Sequence, residues 1–327
     1  MPDTAFHEFD WIRRLRAATA SGARVPLGIG DDAAVVRVGS NGNCLVTTDM
    51  LMEGTDFLFA ETPWNGPELR RASPEEAGRK TLAVNLSDIA AMAGIPTAAF
   101  VAVALPRDRS ARLADGLLSG IQTLAREFDV VLAGGDTNVW DGPLVVSITL
   151  LGEPTERGPV RRSGARPGDW LIATGAFGGS LLGRHLLFTP RVREGLALHA
   201  AAPLHALIDV SDGLAQDAGH LARESGVGLR LEADAIPIHS DARAMSRTSG
   251  RSPLEHALTD GEDFELLAAI PAEAAQTLLA NPPAGLHLTQ IGEFTAEPGI
   301  RLRTVDGSES PLATSGWVHG QSQLTSP

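Results

Sequence analysis

GEPTERGPVRRSGARPGD, residues 152–169, is the stretch that divides this chain. It gathers glycine, proline and arginine and contains no apolar run. Glycine is conformationally free and proline lacks an amide hydrogen, so such a stretch continues neither a helix nor a strand. We place a domain boundary here, with one domain over 1–152 and a second over 153–327.

On the N-terminal side, apolar runs predict strands over Leu144–Leu151, Val130–Ala133 and Ala98–Leu105. Helix formers predict helices over Arg109–Phe128 and Pro74–Met92, the second stopping at Gly94 and Pro96. Leu45–Thr48 reads as a buried strand ending at Asp49. Phe6, Phe9, Ile12 and Leu15 recur at helical spacing over 6–19. On the C-terminal side, strands are expected over Trp170–Thr174, Leu207–Val210, Phe264–Ile270 and His287–Ile291. Helices are expected over Ser180–Phe188 and Gly213–Ser225. Helix and strand alternate in both halves, which implies two α/β domains.

Composition narrows the function. With 43% hydrophobic residues the chain can bury a core. Its net charge of -13 argues against nucleic acid or an anionic membrane as partner. The same charge repels phosphates, unless metal cations stand between. A single cysteine, Cys44, permits neither an internal disulfide nor a cysteine-rich zinc site, which fits a reducing compartment. Residues 1–10 lack the pattern of a signal peptide, and the apolar stretch Ile89–Leu105 is short and broken at Gly94–Pro96. A cytoplasmic protein is expected. Lys80 is the sole lysine, and it follows Arg79 rather than the glycine of a Walker A loop. The His-Arg-Asp loop of protein kinases is also absent.

The chemical signal is a set of aspartates in glycine-rich or strand-end settings: Asp31, Asp32, Asp49, Asp88, Asp136, Asp209 and Asp212. Read singly, Asp31, Asp32 and Asp136 are turn residues, Asp49 closes a strand, and Asp212 caps a helix beginning at Gly213. Asp88 fits such a role least, because Leu86, Ile89, Ala90 and Met92 surround it. A buried carboxylate needs a partner, and a metal ion is one. Taken together the set suits magnesium, which prefers oxygen ligands. Thr47, Thr48 and Ser211 supply hydroxyls beside it.

Two look-alike motifs fail. Gly28 to Ala33 fits the looser dinucleotide pattern GxGxxA, but strand-like residues follow it and two carboxylates would face the pyrophosphate. Val210-Ser211-Asp212-Gly213 lacks the first glycine of a nucleophile elbow. The loop Thr174–Ser180 has two readings: backbone amides offered to phosphate at a helix start, or a plain glycine-rich turn.

GIGDDAAVV, TTDMLMEGTDF, AVNLSDIAAMAGIP, AGGDT, RRSGARPGDWLIATG, IDVSDGL and DGEDFELL follow one another between residues 28 and 267. In that order they resemble the motif series of the thiamine-monophosphate kinases. The wider superfamily includes aminoimidazole ribonucleotide synthetase, selenophosphate synthetase and a hydrogenase maturation protein. The resemblance implies two domains of the synthetase type, mixed sheets flanked by helices, and pairing of the first domain in a homodimer. It implies ATP and thiamine monophosphate as substrates and several Mg2+ ions. Its metal ligands fall on Asp32, Thr47, Thr48, Asp49, Asp88, Asp136, Asp209 and Asp212. Its ATP contacts fall on Gly135, Arg162 and Ser211, and its substrate contacts on Asp56, Glu262 and Trp317. The family often carries histidine where this chain has Asp56, which cannot donate to a phosphate in the same way.

The alternatives are another ATP-dependent enzyme of the superfamily, or a nucleotide- or metal-binding protein without catalysis. No cysteine precedes Cys44, as selenophosphate synthesis would want, and the sequence given ends Thr325-Ser326-Pro327, not in cysteine.

Overall fold

The structure is a computed structural model. It describes residues 8–19, 22–39, 42–65, 69–283 and 285–314. Its first half contains α1 (Glu8–Ala18), β1 (Ala34–Val38), β2 (Gly42–Met52), α2 (Pro74–Ala91), β3 (Gly94–Pro106), α3 (Ser110–Glu127), β4 (Val131–Trp140) and β5 (Val145–Pro154). The five strands form one sheet in the order β1-β2-β5-β3-β4, with only β3 and β4 parallel.

In the second half, β6 (Asp169–Ala173) leads through a 3-10 turn at Ser180–Leu182 into α4 (Arg184–Leu187) and α5 (Val192–Ala201). There follow β7 (Ala206–Asp209), α6 (Leu214–Ser225), β8 (Gly228–Glu232), α7 (Ser240–Ser249), α8 (Pro253–Thr259) and β9 (Leu266–Pro271). The described residues end with α9 (Ala272–Ala280), β10 (Thr289–Thr295), β11 (Gly299–Arg303) and β12 (Glu309–Pro311). The second sheet runs β12-β11-β8-β10-β6-β9-β7, with β8 and β11 parallel. Two mixed sheets with flanking helices agree with the two α/β domains expected from the alternation of elements and with the mixed sheets that the resemblance implied.

α2 positions the site. Ser73 and Glu76 close a capping box at its start, with Pro74 in the first turn where a missing amide costs nothing. The helix is buried around most of its circumference, Ala77, Leu82, Leu86, Ile89 and Ala90 among its buried residues. It packs on β2, β3 and β5 of the first sheet and on β7, α4 and α5 of the second half. One continuous core therefore joins both halves, from Val35, Leu45 and Ile148 to Leu207, Leu266 and Ile270. α3 crosses α2 at very short range. A Cβ on Gly120 would come within 1.9 Å of the Glu75 carbonyl oxygen, and one on Gly78 within 2.3 Å of that of Leu117.

Several expected elements differ. β3 starts at Gly94, so the expected turn at 94–96 is already strand, and Pro96 is tolerated beside an irregularity in the pairing with β5. β2 runs past Asp49 to Met52, and β4 past Ala133 to Trp140, which puts Asp49 and Asp136 within strands. The helix expected over Ser180–Phe188 is split at Gly183, whose φ of 132° no helix accommodates. Among the described residues no helix is long and apolar enough to cross a membrane.

Among the described residues, one face of the first sheet carries no helix. Cross-strand pairing aligns Thr48, Thr149, Phe100 and Gly134, and likewise Met50, Ser147, Ala102 and Asp136. Met50, Phe100, Val131 and Trp140 are exposed apolar residues of this sheet.

Candidate active site

Four carboxylates converge where the two halves meet. Asp32 comes from the loop before β1, Asp49 from β2, Asp88 from the last turns of α2, and Asp209 from the end of β7. One oxygen each of Asp32, Asp88 and Asp209 lie within 4.8 Å of one another. Strand alternation puts Thr47 on the same face of β2 as Asp49. Thr47 Oγ1 donates to Asp88 Oδ2, and Ser87 Oγ donates to Asp209 Oδ2. Arg162 Nη2 donates to Asp32 Oδ1 at 2.6 Å, and the Arg162 amide to Asp31 Oδ1 at 2.9 Å.

This cluster is electrostatically uncomfortable by itself. Burial, then the charges of Asp49, Asp209 and Asp32, push the Asp88 carboxyl well above the usual range. Burial and Asp32 raise Asp209 to about 7, while burial and Asp56 raise Asp49 to about 6. Burial and Asp32 also raise Asp31 to about 6, against the opposing pull of Arg162. Burial disfavours the charge of Arg162, but Asp32, Asp209 and Asp88 outweigh it and keep the guanidinium protonated. Asp32 Oδ2 and Asp49 Oδ2 are buried without a hydrogen-bond partner among the described residues. Buried, orphaned carboxylate oxygens in an acidic cluster fit hard divalent cations, which take oxygen ligands and offset the repulsion.

The remaining expected ligands divide. Asp212 stands just beyond Asp209 and accepts from Gln216 Nε2 at 2.9 Å. It does not cap α6 as expected. Gly213 is the N-cap residue, and Asp217 in the first turn takes the amides of Asp212 and Gly213 at 3.0 and 3.1 Å. Asp212, Asp217 and His220 form a second compact group. Asp217 and His220 escaped the sequence reading because they lie inside a helix, outside any glycine-rich stretch. Thr48 and Asp136 lie elsewhere, on the helix-free face of the first sheet. Thr149 Oγ1 donates to Thr48 Oγ1 at 3.1 Å, and Asp136 Oδ1 accepts the Thr137 amide at 2.9 Å. Within this chain the eight residues are therefore not one cluster.

The ATP-contact candidates lie on three elements. Arg162 is on Asp32, and the Ser211 carbonyl accepts the Glu262 amide at 2.7 Å. Gly135 is on β4, where a Cβ would come within 1.8 Å of the Val101 carbonyl oxygen, so only glycine fits beside β3. The glycine loop Thr174–Ser180 is a plain turn. Asp263 takes the Gly178 amide and Asp260 the Gly179 amide, so these donors are occupied by the protein's own carboxylates.

Of the substrate candidates, Trp317 lies outside the described residues. Asp56 turns back into its own loop, where Oδ2 accepts the Met52 amide at 2.7 Å. Glu262 has a φ of 54°, uncommon for a residue with a Cβ. Its Oε1 lies 2.6 Å from Lys80 Nζ and its Oε2 2.8 Å from His185 Nδ1. Burial alone would raise its carboxyl, but Lys80 and His185 prevail and hold it at about 2. The sequence reading used Lys80 only to dismiss a Walker loop and passed over His185. A lone lysine two residues before the apolar run Leu82–Val84 was the available signal.

Known proteins match this arrangement over nearly its whole length. The family model for the AIR synthase related protein N-terminal domain matches residues 30–153, and that for the C-terminal domain residues 165–305. The thiamine-monophosphate kinase of Rhodopirellula baltica is 39% identical, over 97% of this chain and 98% of that protein. The chain belongs to the thiamine-monophosphate kinase family. The family member of Bacillus subtilis is 34% identical over 95% of this chain and 99% of its own. A solved family structure, AaThiL complexed with AMPPCP and TMP, shares the fold with a TM-score of 0.81. It is 28% identical, over 98% of this chain and 100% of that one.

Proposed function

We propose that the chain transfers the γ-phosphoryl group of ATP to thiamine monophosphate, giving thiamine diphosphate and ADP, by magnesium-dependent in-line transfer. The convergence of Asp32, Asp49, Asp88 and Asp209, with two buried oxygens unpartnered, carries this reading. The acceptor is a phosphate monoester, already ionised near neutral pH. No side chain has to remove a proton from the nucleophile. The problem is to bring two anions together inside an acidic protein. Bound magnesium screens that repulsion and aligns the oxygens.

The chain's own residues do the rest. Asp32, Asp49, Asp88 and Asp209 hold the ions, with the Thr47 hydroxyl and Asp212 beside them. Arg162 keeps Asp32 in place and offers a fixed fork of further donors to phosphate oxygens. Gly135 and Ser211 complete the nucleotide contacts, while Glu262 and Trp317 receive the thiamine end. Asp56 acts as the brace of its turn. The domains divide as 1–152, for nucleotide, metal and self-association, and 153–327. The helix-free sheet face meets a second copy in a homodimer, and Thr48 and Asp136 lie at that junction. The single half-buried cysteine suits work in the cytoplasm.

Purified protein with ATP, magnesium and thiamine monophosphate is expected to form thiamine diphosphate. ATP consumption with another phosphorylated acceptor and none with thiamine monophosphate would retain phosphoryl transfer and discard this acceptor.

A further inference from the structure

The chain's one lysine is among the largest completely buried side chains of the described residues. Lys80 Nζ reaches the Asp56 carbonyl oxygen at 2.6 Å, Glu262 Oε1 at 2.6 Å and His185 Nδ1 at 2.9 Å. An ammonium has three donors and no acceptor, and these three groups surround it. His185 Nδ1 also touches Glu262 Oε2, and one nitrogen cannot both accept from Lys80 and donate to Glu262. In either tautomer the Glu262 carboxylate keeps a donor from Lys80. A buried charge in such a place is costly unless fully paired, and removal of one partner strands the other.

The neighbouring contacts fix Glu262 further. Its backbone sits at positive φ, held by the amide on the Ser211 carbonyl and by its carbonyl, which accepts from Ser180 Oγ at 2.6 Å. Lys80 and Ser87 are seven residues apart, on one stripe of α2 and about 10 Å apart along its axis. Lys80 binds Glu262 and Ser87 binds Asp209, both from the second half. The helix is thus a rigid rule between Glu262 and the carboxylate cluster.

We infer that Lys80 is a positioning residue that sets where the acceptor's organic end binds relative to the transferred phosphoryl group. It acts through Glu262, and the inference rests on the reading of Glu262 as a substrate contact. The Glu262 side chain is a quarter exposed, although its Oε2 is itself buried against His185. Held as an anion, it suits a cationic ring or an N–H donor of the acceptor and repels its phosphate.

Steady-state kinetics on Lys80→Met, Glu262→Gln and the double variant test this. KM for thiamine monophosphate is expected to rise about tenfold or more in each single variant, with KM for ATP within about twofold. The double variant is expected to be no worse than the worse single, since both act through one contact. A rise in both KM values in Lys80→Met overturns the positioning role. So does an unchanged KM for thiamine monophosphate in Lys80→Met while Glu262→Gln is impaired, and the Glu262 reading then stands. An unchanged KM in Glu262→Gln overturns both. Where Lys80→Met does not fold, the double variant, which leaves no charge stranded, decides. A KM for thiamine monophosphate equal to that of Glu262→Gln bears the inference out, and a raised KM for ATP overturns it.

Discussion

Asp49 and Asp88 are held close by a strand and a helix that pack on each other, and neither has the charge balance to be there without a cation. Asp49→Asn is expected to lower turnover more than tenfold, at least about 1.4 kcal/mol of barrier, with the thermal midpoint unchanged or raised. Wild-type turnover would sink the metal assignment. Removal of magnesium with a chelator should abolish product formation, with full recovery on re-addition. A different residue governs pH dependence away from this cluster. Burial raises Asp263 from its ordinary 3.8 to about 7, although Arg184 and the Gly178 amide pull the other way. An acid with the higher pKa in the folded state opposes folding once ionised. That penalty is absent below about 4 and complete above about 7. Asp263→Asn is therefore expected to flatten the fall in thermal midpoint between about pH 4 and about pH 7. The sequence exposed the acidic residues well, because glycine and strand ends surround them. It could not sort them by face, since β2 runs on through Asp49 and sends Thr48 to the opposite side from Thr47.

At the scale of elements, α2 decides the most. The sequence pattern predicts the helix and its stop, while the Ser73–Glu76 cap, the close contact of Gly78 with α3 and the buried circumference are seen only in the folded chain. Gly120→Val places a branched side chain against the Glu75 backbone, so α2 has to move. Overpacking of this kind costs about 1–3 kcal/mol. Because α2 also carries Lys80, Ser87 and Asp88, turnover is expected to fall along with stability. An equilibrium denaturation curve and an assay on the same sample check both, and a variant as stable as the parent would refute the close crossing. Less legible were β8, β11 and β12 and the helices α7, α8 and α9. The three strands are short, β11 holds no fully buried residue and β12 is exposed throughout, so they carry no apolar run that a sequence pattern would single out. What defines them is pairing with β10 and with one another, which no local stretch contains.

Among the described residues, the two sheets share a core chiefly through α2, with α5 also packing on β3, and one sheet face is left open. A face bearing Met50, Phe100, Val131 and Trp140 is expected to bury itself against a second copy. Phe100→Asp with Val131→Asp should shift the protein to monomers in analytical ultracentrifugation, and an unshifted dimer would place the interface elsewhere. The burial of Lys80 has a practical side as well. All other basic side chains except histidine are arginines, so the folded surface offers no lysine amine to acylating reagents. Amine-directed dyes, crosslinkers and acetyl donors should leave position 80 untouched as long as the two halves stay together. The slow appearance of label at Lys80 in peptide maps would then clock how often they part.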